Sequence, residues 1–134
     1  MTGKKILIID DSDVVLSALS AKLKGQGYAT FTAPDGAAAM TIVRNEKPDL
    51  ILLDIGFPPD VAVGGGTFRD GYAILGWLRR MDEGSVPVIV ITASEDPSHE
   101  KRSLTAGAIA FFRKPVDTEQ LLAAIRQALG GKAE

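Results

Sequence analysis

The chain contains no cysteine, which excludes disulfides and thiolate metal sites. No run of basic residues is present and the net charge is only -2, so the electrostatic footprint of a nucleic-acid binder is missing. No apolar run approaches the ~20 residues of a membrane span. The amino terminus, MTGKKILIIDD, meets acid too soon to be a signal peptide, and the expected setting is the cytoplasm. Histidine occurs once, as His99 in the polar stretch SEDPSHEKR, and is read as an exposed residue at a helix start rather than a ligand or base. There is no internal repeat and no linker-like stretch. What is present is 46% hydrophobic and 24% charged residues over 134 positions, which suits one globular domain, 1–134, with a single core over about 4–129.

Short apolar, β-branched runs alternate with segments of helical spacing. The strand-like runs are Ile6 to Ile9, Tyr28 to Thr32, Leu50 to Leu53, Val86 to Ile91 and Ile109 to Phe112. Between and after them come helix-like segments. In the first, Val15, Leu16, Leu19 and Leu23 recur at helical spacing and Gly25 and Gly27 end it; Val14 and Val15 begin it, one of them exposed. The second spans Asp35 to Asn45 and the third Tyr72 to Met81, with Ile74, Leu75 and Leu78 on one side and Trp77 expected in core or groove packing. The fourth, Pro97 to Ala106, is weaker because few large apolar residues mark its buried face; the fifth runs from Leu121 to Leu129. Five βα units predict an α/β fold: a flavodoxin-like, doubly wound, five-stranded parallel sheet in the order 2-1-3-4-5 with five helices.

Chemistry-bearing residues sit where the strand-like runs stop. KKILIID reaches Asp10, with Asp11 next; PDLILLD ends at Asp54, VPVIVIT at Thr92 and AFFRK at Lys114. In a parallel sheet these ends share one edge, and strand order 2-1-3 puts Asp10, Asp11 and Asp54 side by side. Asp10 or Asp11 alone would serve as a helix cap, but Ser12 can fill that role here. Three crowded carboxylates repel one another unless a cation sits among them. Oxygen ligands alone select a hard ion such as Mg²⁺, leaving one carboxylate to act as a nucleophile towards phosphorus. The Lys114 ammonium and the Thr92 hydroxyl would then each cover a phosphoryl oxygen.

The Asp10–Asp11 pair, Asp54, Thr92-Ala93 and Lys114-Pro115, in this order and spacing, resemble the receiver domain of bacterial two-component response regulators, single-domain and chemotaxis-regulator-like. The resemblance covers the chain from about Lys4 to Leu129. It implies that Asp54 accepts a phosphoryl group from a sensor histidine kinase or histidine phosphotransfer protein. It implies Mg²⁺ held by Asp11, Asp54 and the backbone carbonyl of Gly56, with Asp10 helping largely through water. It implies that Lys114 contacts the acyl phosphate and that the Lys114–Pro115 bond is cis. Thr92 and Phe111 are the implied switch: the threonine moves towards the phosphoryl group and the aromatic turns inward. The altered α4-β5-α5 face is then read by a separate output protein, or phosphate passes along a relay. No separate substrate turnover is expected, and the oligomeric state implied is a monomer or a weak phosphorylation-dependent dimer.

One segment departs from the family pattern. Asp54 is followed by IGFPPDVAVGGGTFRDG, in which Pro58 and Asp70-Gly71 fit but roughly nine residues are extra. This inserted loop, 57–70, is a surface insertion or a flap beside the phosphorylation site, with Arg69 available to a phosphate. Its glycines, Gly64, Gly65 and Gly66, are not a phosphate-cradling loop, because no lysine follows. Gly56 and Ser94, at positions that tune acyl-phosphate lifetime in the family, are both small.

Other functions stay in view. The same fold could be a phosphorylation-independent interaction domain. An Mg²⁺-dependent phosphohydrolase would need a second acid, for which Asp13 or Asp60 would have to serve, and a substrate pocket. A nucleotide or flavin site is disfavoured because the first βα turn, IIDDSD, is acidic and lacks glycine.

Overall fold

A computed structural model describes residues 4–55, 71–80, 86–93 and 97–129. The element order is β1 (Lys5–Ile9), α1 (Asp13–Gly25), β2 (Ala29–Ala33), α2 (Gly36–Glu46), β3 (Leu50–Asp54), α3 (Gly71–Arg80), β4 (Val88–Thr92), α4 (Ser98–Thr105), β5 (Ala110–Arg113) and α5 (Thr118–Ala128). All neighbouring strands pair in parallel, in the order β2-β1-β3-β4-β5 expected from the sequence. No helix among the described residues is long and apolar enough to cross a membrane.

The central strands are apolar over residues 6–9, 50–53 and 88–91 because both of their faces are covered. Side chains alternate, so each strand feeds two cores. Leu7, Ile9, Ile51, Leu53, Val88 and Val90 face α2 and α3, meeting Ala39, Val43, Ile74, Leu75 and Leu78. Ile6, Ile8, Leu50, Leu52, Ile89 and Ile91 face α1 and α5, meeting Leu16, Leu23, Leu121 and Ile125. Each fully buried aliphatic side chain contributes roughly 1.5–3 kcal/mol relative to an exposed one. A shift of register by one residue would exchange the side chains that meet the two helix pairs.

The caps explain where expected boundaries move. Ser12 caps α1, its hydroxyl accepting from Val15 N at 3.3 Å, and so relieves Asp10 and Asp11 of that role. Asp35 caps α2, accepting from Ala38 N at 2.9 Å. Asp117 accepts from the N–H groups of Glu119 and Gln120, which starts α5 at Thr118, a turn ahead of its apolar stripe. Strand β4 starts at Val88 rather than Val86, because Pro87 has no N–H to donate and contributes only its carbonyl, to Ile51 N at 3.0 Å. Strand β5 starts at Ala110; Ile109 precedes it and is 49% exposed.

The first helix behaves as expected at its start: Val14 is exposed and Val15 half-buried. Trp77 is half-buried against the α2/α3 core. Phe111 and Phe112, expected in the core, are only half-buried, because β5 is an edge strand with a neighbour on one side alone. His99 is half-buried in the first turn of α4 and makes an interaction there, rather than standing free in solvent.

Helix α4 is the weakly anchored element that its composition predicts. Its N-cap, Pro97, supplies no side-chain hydrogen bond, and the one buried residue is Ser103. The Ser103 hydroxyl is fully buried with no hydrogen-bond partner among the described residues. A buried unpaired hydroxyl costs on the order of 1–3 kcal/mol, and alanine is the better helix former. Ser103→Ala is therefore expected to raise stability by about 1 kcal/mol. Urea denaturation checks this as a higher midpoint at an unchanged slope; a lower midpoint would mean that the hydroxyl is bonded in solution.

Candidate functional site

The carboxyl ends of β1, β3, β4 and β5 lie along one edge of the sheet, and the sequence places a polar group at each. Register fixes their level: Ile9 pairs with Leu53, Asp54 with Ile91, and Thr92 with Arg113. Asp10 therefore stands level with Asp54, and Lys114 lies one step past Thr92. The Lys114 N–H donates to Thr92 O at 2.8 Å, which ties the ends of β4 and β5 together.

Asp10, Asp54 and Thr92 are all buried, an unusual place for carboxylates unless they are paired. The pairing comes from Lys114, whose Nζ donates to Asp10 Oδ2 at 2.8 Å and to Asp54 Oδ2 at 3.3 Å. Asp10 is also fixed from the other side, its Oδ1 accepting from Ser12 N at 2.9 Å. Asp11 is exposed and makes no hydrogen bond among the described residues. Oxygens of Asp10, Asp11 and Asp54 all lie within 4.8 Å of one another, so these carboxylates form a cluster that could hold a metal ion. The donor set fits a hard divalent cation: oxygens only, two from fixed buried groups and one from a group open to solvent.

The Lys114 ammonium titrates above its ordinary value. Burial acts to lower it, but the hydrogen bond to Asp10 and the charges of Asp54 and Asp10 outweigh that effect. The site is thus a buried carboxylate pair bridged by a fixed cation, with a third carboxylate at the mouth. Such an arrangement can present one carboxylate oxygen as a nucleophile while positive charge waits beside it.

The structure brings together Asp10, Asp11, Asp54, Thr92 and Lys114, as read from the strand ends. The Lys114–Pro115 peptide is cis. Phe111 is on β5, on the same face as Thr92 because Phe111 pairs with Val90 and Arg113 with Thr92. Asp13, the formal second acid of a hydrolase reading, is exposed at the first position of α1. Gly56, Ser94, Asp60, Arg69 and the insertion 57–70 lie outside the described residues.

Two contributors were not anticipated from the sequence. The Ser12 backbone N–H orients Asp10; the Asp-x-Ser spacing, which suits a local carboxylate-to-backbone turn, was the available signal. Arg113 lies with its guanidinium over the Phe111 ring, 5.5 Å from the centroid. Its position two residues along a strand from Phe111 was enough to place both side chains on one face.

Comparison with known proteins gives a consistent picture. A family model for the response regulator receiver domain matches residues 6–126. Sporulation initiation phosphotransferase F of Bacillus subtilis is 34% identical over 129 residues, covering 96% of each chain. The transcriptional regulatory protein KdpE of Mycobacterium tuberculosis is 35% identical over 126 residues; the match covers 92% of this chain but 50% of that longer protein. Among solved structures, the beryllofluoride-activated N-terminal receiver domain of Klebsiella pneumoniae RstA superposes with a TM-score of 0.81 at 28% identity, covering 95% of this chain and 99% of that one. A CheY-like receiver domain protein from Methanospirillum hungatei gives a TM-score of 0.80 at 28% identity, over 94% and 93% of the two chains.

Proposed function

This chain belongs to the response regulator receiver domain family, a family of phosphorylation-activated signalling domains, and on that premise we propose that Asp54 is its phosphoacceptor. The observation that carries the assignment is the Lys114 bridge: a buried carboxylate at the end of β3 is held 3.3 Å from a fixed ammonium group, beside two further carboxylates.

The donor is a phosphohistidine on a sensor histidine kinase or histidine phosphotransfer protein. An Asp54 oxygen forms the new bond to phosphorus as the donor's P–N bond breaks, and the imidazole leaves with its electron pair. Lys114 then donates to a phosphoryl oxygen, and the Thr92 hydroxyl donates to another. Asp10 holds Lys114 in place from the far side, at 2.8 Å. Asp11 and Asp54, with the Gly56 carbonyl, would hold Mg²⁺, and Asp10 would assist. When bound, Mg²⁺ supplies positive charge that offsets both the clustered carboxylates and the phosphoryl oxygens.

The product is a signalling state rather than a released molecule, so no separate substrate is turned over. As Thr92 moves towards the phosphoryl group, Phe111 turns into the space it leaves, and the face formed by α4, β5 and α5 changes. A separate protein reads that face or takes the phosphate onward. Residues 1–134 act as one receiver unit, with a core over about 4–129, and its cytoplasmic setting follows from this exchange with a kinase.

The metal expectation is tested on stability. Without Mg²⁺, Asp11→Asn is expected to raise the thermal midpoint, because it removes one of three mutually repelling carboxylates. With Mg²⁺ at about a hundred times its dissociation constant, the wild type is expected to gain about 2.7 kcal/mol, and the variant far less. Thermal unfolding with and without Mg²⁺ reads both effects. A wild type indifferent to millimolar Mg²⁺ would rule out this role for the carboxylate cluster.

A further inference from the structure

We infer that Arg113 is a positioning residue that latches Phe111 in its resting orientation, so that it sets how readily the site switches; the inference rests on the receiver reading above. Four side chains share one face of the β4–β5 pair: Val90 opposite Phe111, and Thr92 opposite Arg113. Thr92 is buried, Phe111 is half-buried against the α2/α3 core, and Arg113 is exposed. The Arg113 guanidinium carbon is 5.5 Å from the centroid of the Phe111 ring, within the range of a cation–π contact. The ring is therefore held between the core on its inner side and a cation on its outer side.

This geometry opposes the proposed switch in a defined way. If Thr92 moves towards the phosphoryl group, the space it vacates lies diagonally across from Phe111 on the same face. In this latch the ring gives up the guanidinium as it enters that space. Loss of the contact disfavours the switched state by about two- to fivefold, the range expected of an exposed cation–π pair. The same step leaves Arg113 without its ring on the face that a partner reads. Resting and switched states then differ in the presentation of a positive charge as well as in an aromatic rotamer.

The test uses the full chain, with Mg²⁺ and beryllofluoride as the phosphoryl mimic, and measures the midpoint of beryllofluoride binding. Arg113→Gln removes the cation and is expected to tighten binding about two- to fivefold, since the switched state no longer has to break the contact. Arg113→Lys keeps a cation and is expected to return most of the way to the wild-type midpoint. In a Phe111→Leu background, Arg113→Gln is expected to have no further effect, because the latch acts through the ring.

Three results would overturn the latch in a folded protein. Arg113→Gln could leave the midpoint unchanged. It could weaken binding, which is the sign expected if Arg113 merely attracts the anion. Or it could shift the midpoint equally in the Phe111 and Phe111→Leu backgrounds. Failure of the underlying reading looks different: the wild type itself would bind no beryllofluoride in the presence of Mg²⁺.

Discussion

Lys114→Met is expected to lower both the stability of the protein and its uptake of phosphoryl groups. The substitution leaves a side chain of similar length but no charge. Asp10 and Asp54, whose side chains are only 4% and 8% exposed, then face each other without their shared cation. Removing one partner from a fully buried ion pair costs roughly 3–5 kcal/mol. The Lys114 side chain is 22% exposed, so water recovers part of the loss, and about 2–3 kcal/mol is the expected destabilisation. Mg²⁺ should offset part of it, because a divalent ion can neutralise the same carboxylates. Phosphoryl uptake should fall by about 10²–10³-fold, the usual effect of removing one charged donor from a developing anion. Urea denaturation and the initial rate of acyl-phosphate formation measure the two effects. A variant as stable as the wild type would mean that the pair is weak in solution.

The pH dependence of this contact has a definite sign. The folded-state value of Lys114 is raised, so its contribution to stability is complete below the unfolded-state value. It is lost only as pH rises through the folded-state value, in the strongly alkaline range. Across neutral pH the Lys114 contribution is flat.

The sheet and most of the site are legible in the sequence because one physical rule serves both. Strands buried on two faces must be apolar along their length, so a polar residue marks the end of the strand: Asp10 follows such a run and Asp54 finishes one. In a parallel sheet those ends share an edge, which turns a list of stops into a site. The paired acids could be separated from helix capping because Ser12, itself a good N-cap, follows them; the structure gives it that role. Legibility fails where the signal is local polar geometry rather than apolar pattern. The start of α5 depends on the Asp117 carboxylate and not on the stripe from Leu121. The start of β4 depends on the missing N–H of Pro87. Aromatic residues on β5 look like core in sequence, but an edge strand leaves Phe111 and Phe112 half-buried. That partial exposure is what lets Arg113 reach the Phe111 ring. The bridge from Lys114 to Asp10 was also hidden, since no spacing rule connects residues 104 positions apart.

Asp54→Asn carries the other large expected effect. The amide keeps the shape of the carboxylate but is a poor nucleophile, so acyl-phosphate formation should fall by at least about a thousandfold. The fold should survive, because the substitution removes a charge from a crowded acidic cluster and leaves Lys114 paired with Asp10 at 2.8 Å. Loss of the adduct from a variant that unfolds at or above the wild-type midpoint therefore isolates chemistry from stability. Intact mass after incubation with acetyl phosphate, for the wild type and Asp54→Asn, with and without Mg²⁺, decides whether Asp54 takes the phosphoryl group. The predicted result is one added phosphoryl group on the wild type, dependent on Mg²⁺ and absent from the variant. An equal adduct on Asp54→Asn, or one that forms as well without Mg²⁺, would contradict the account.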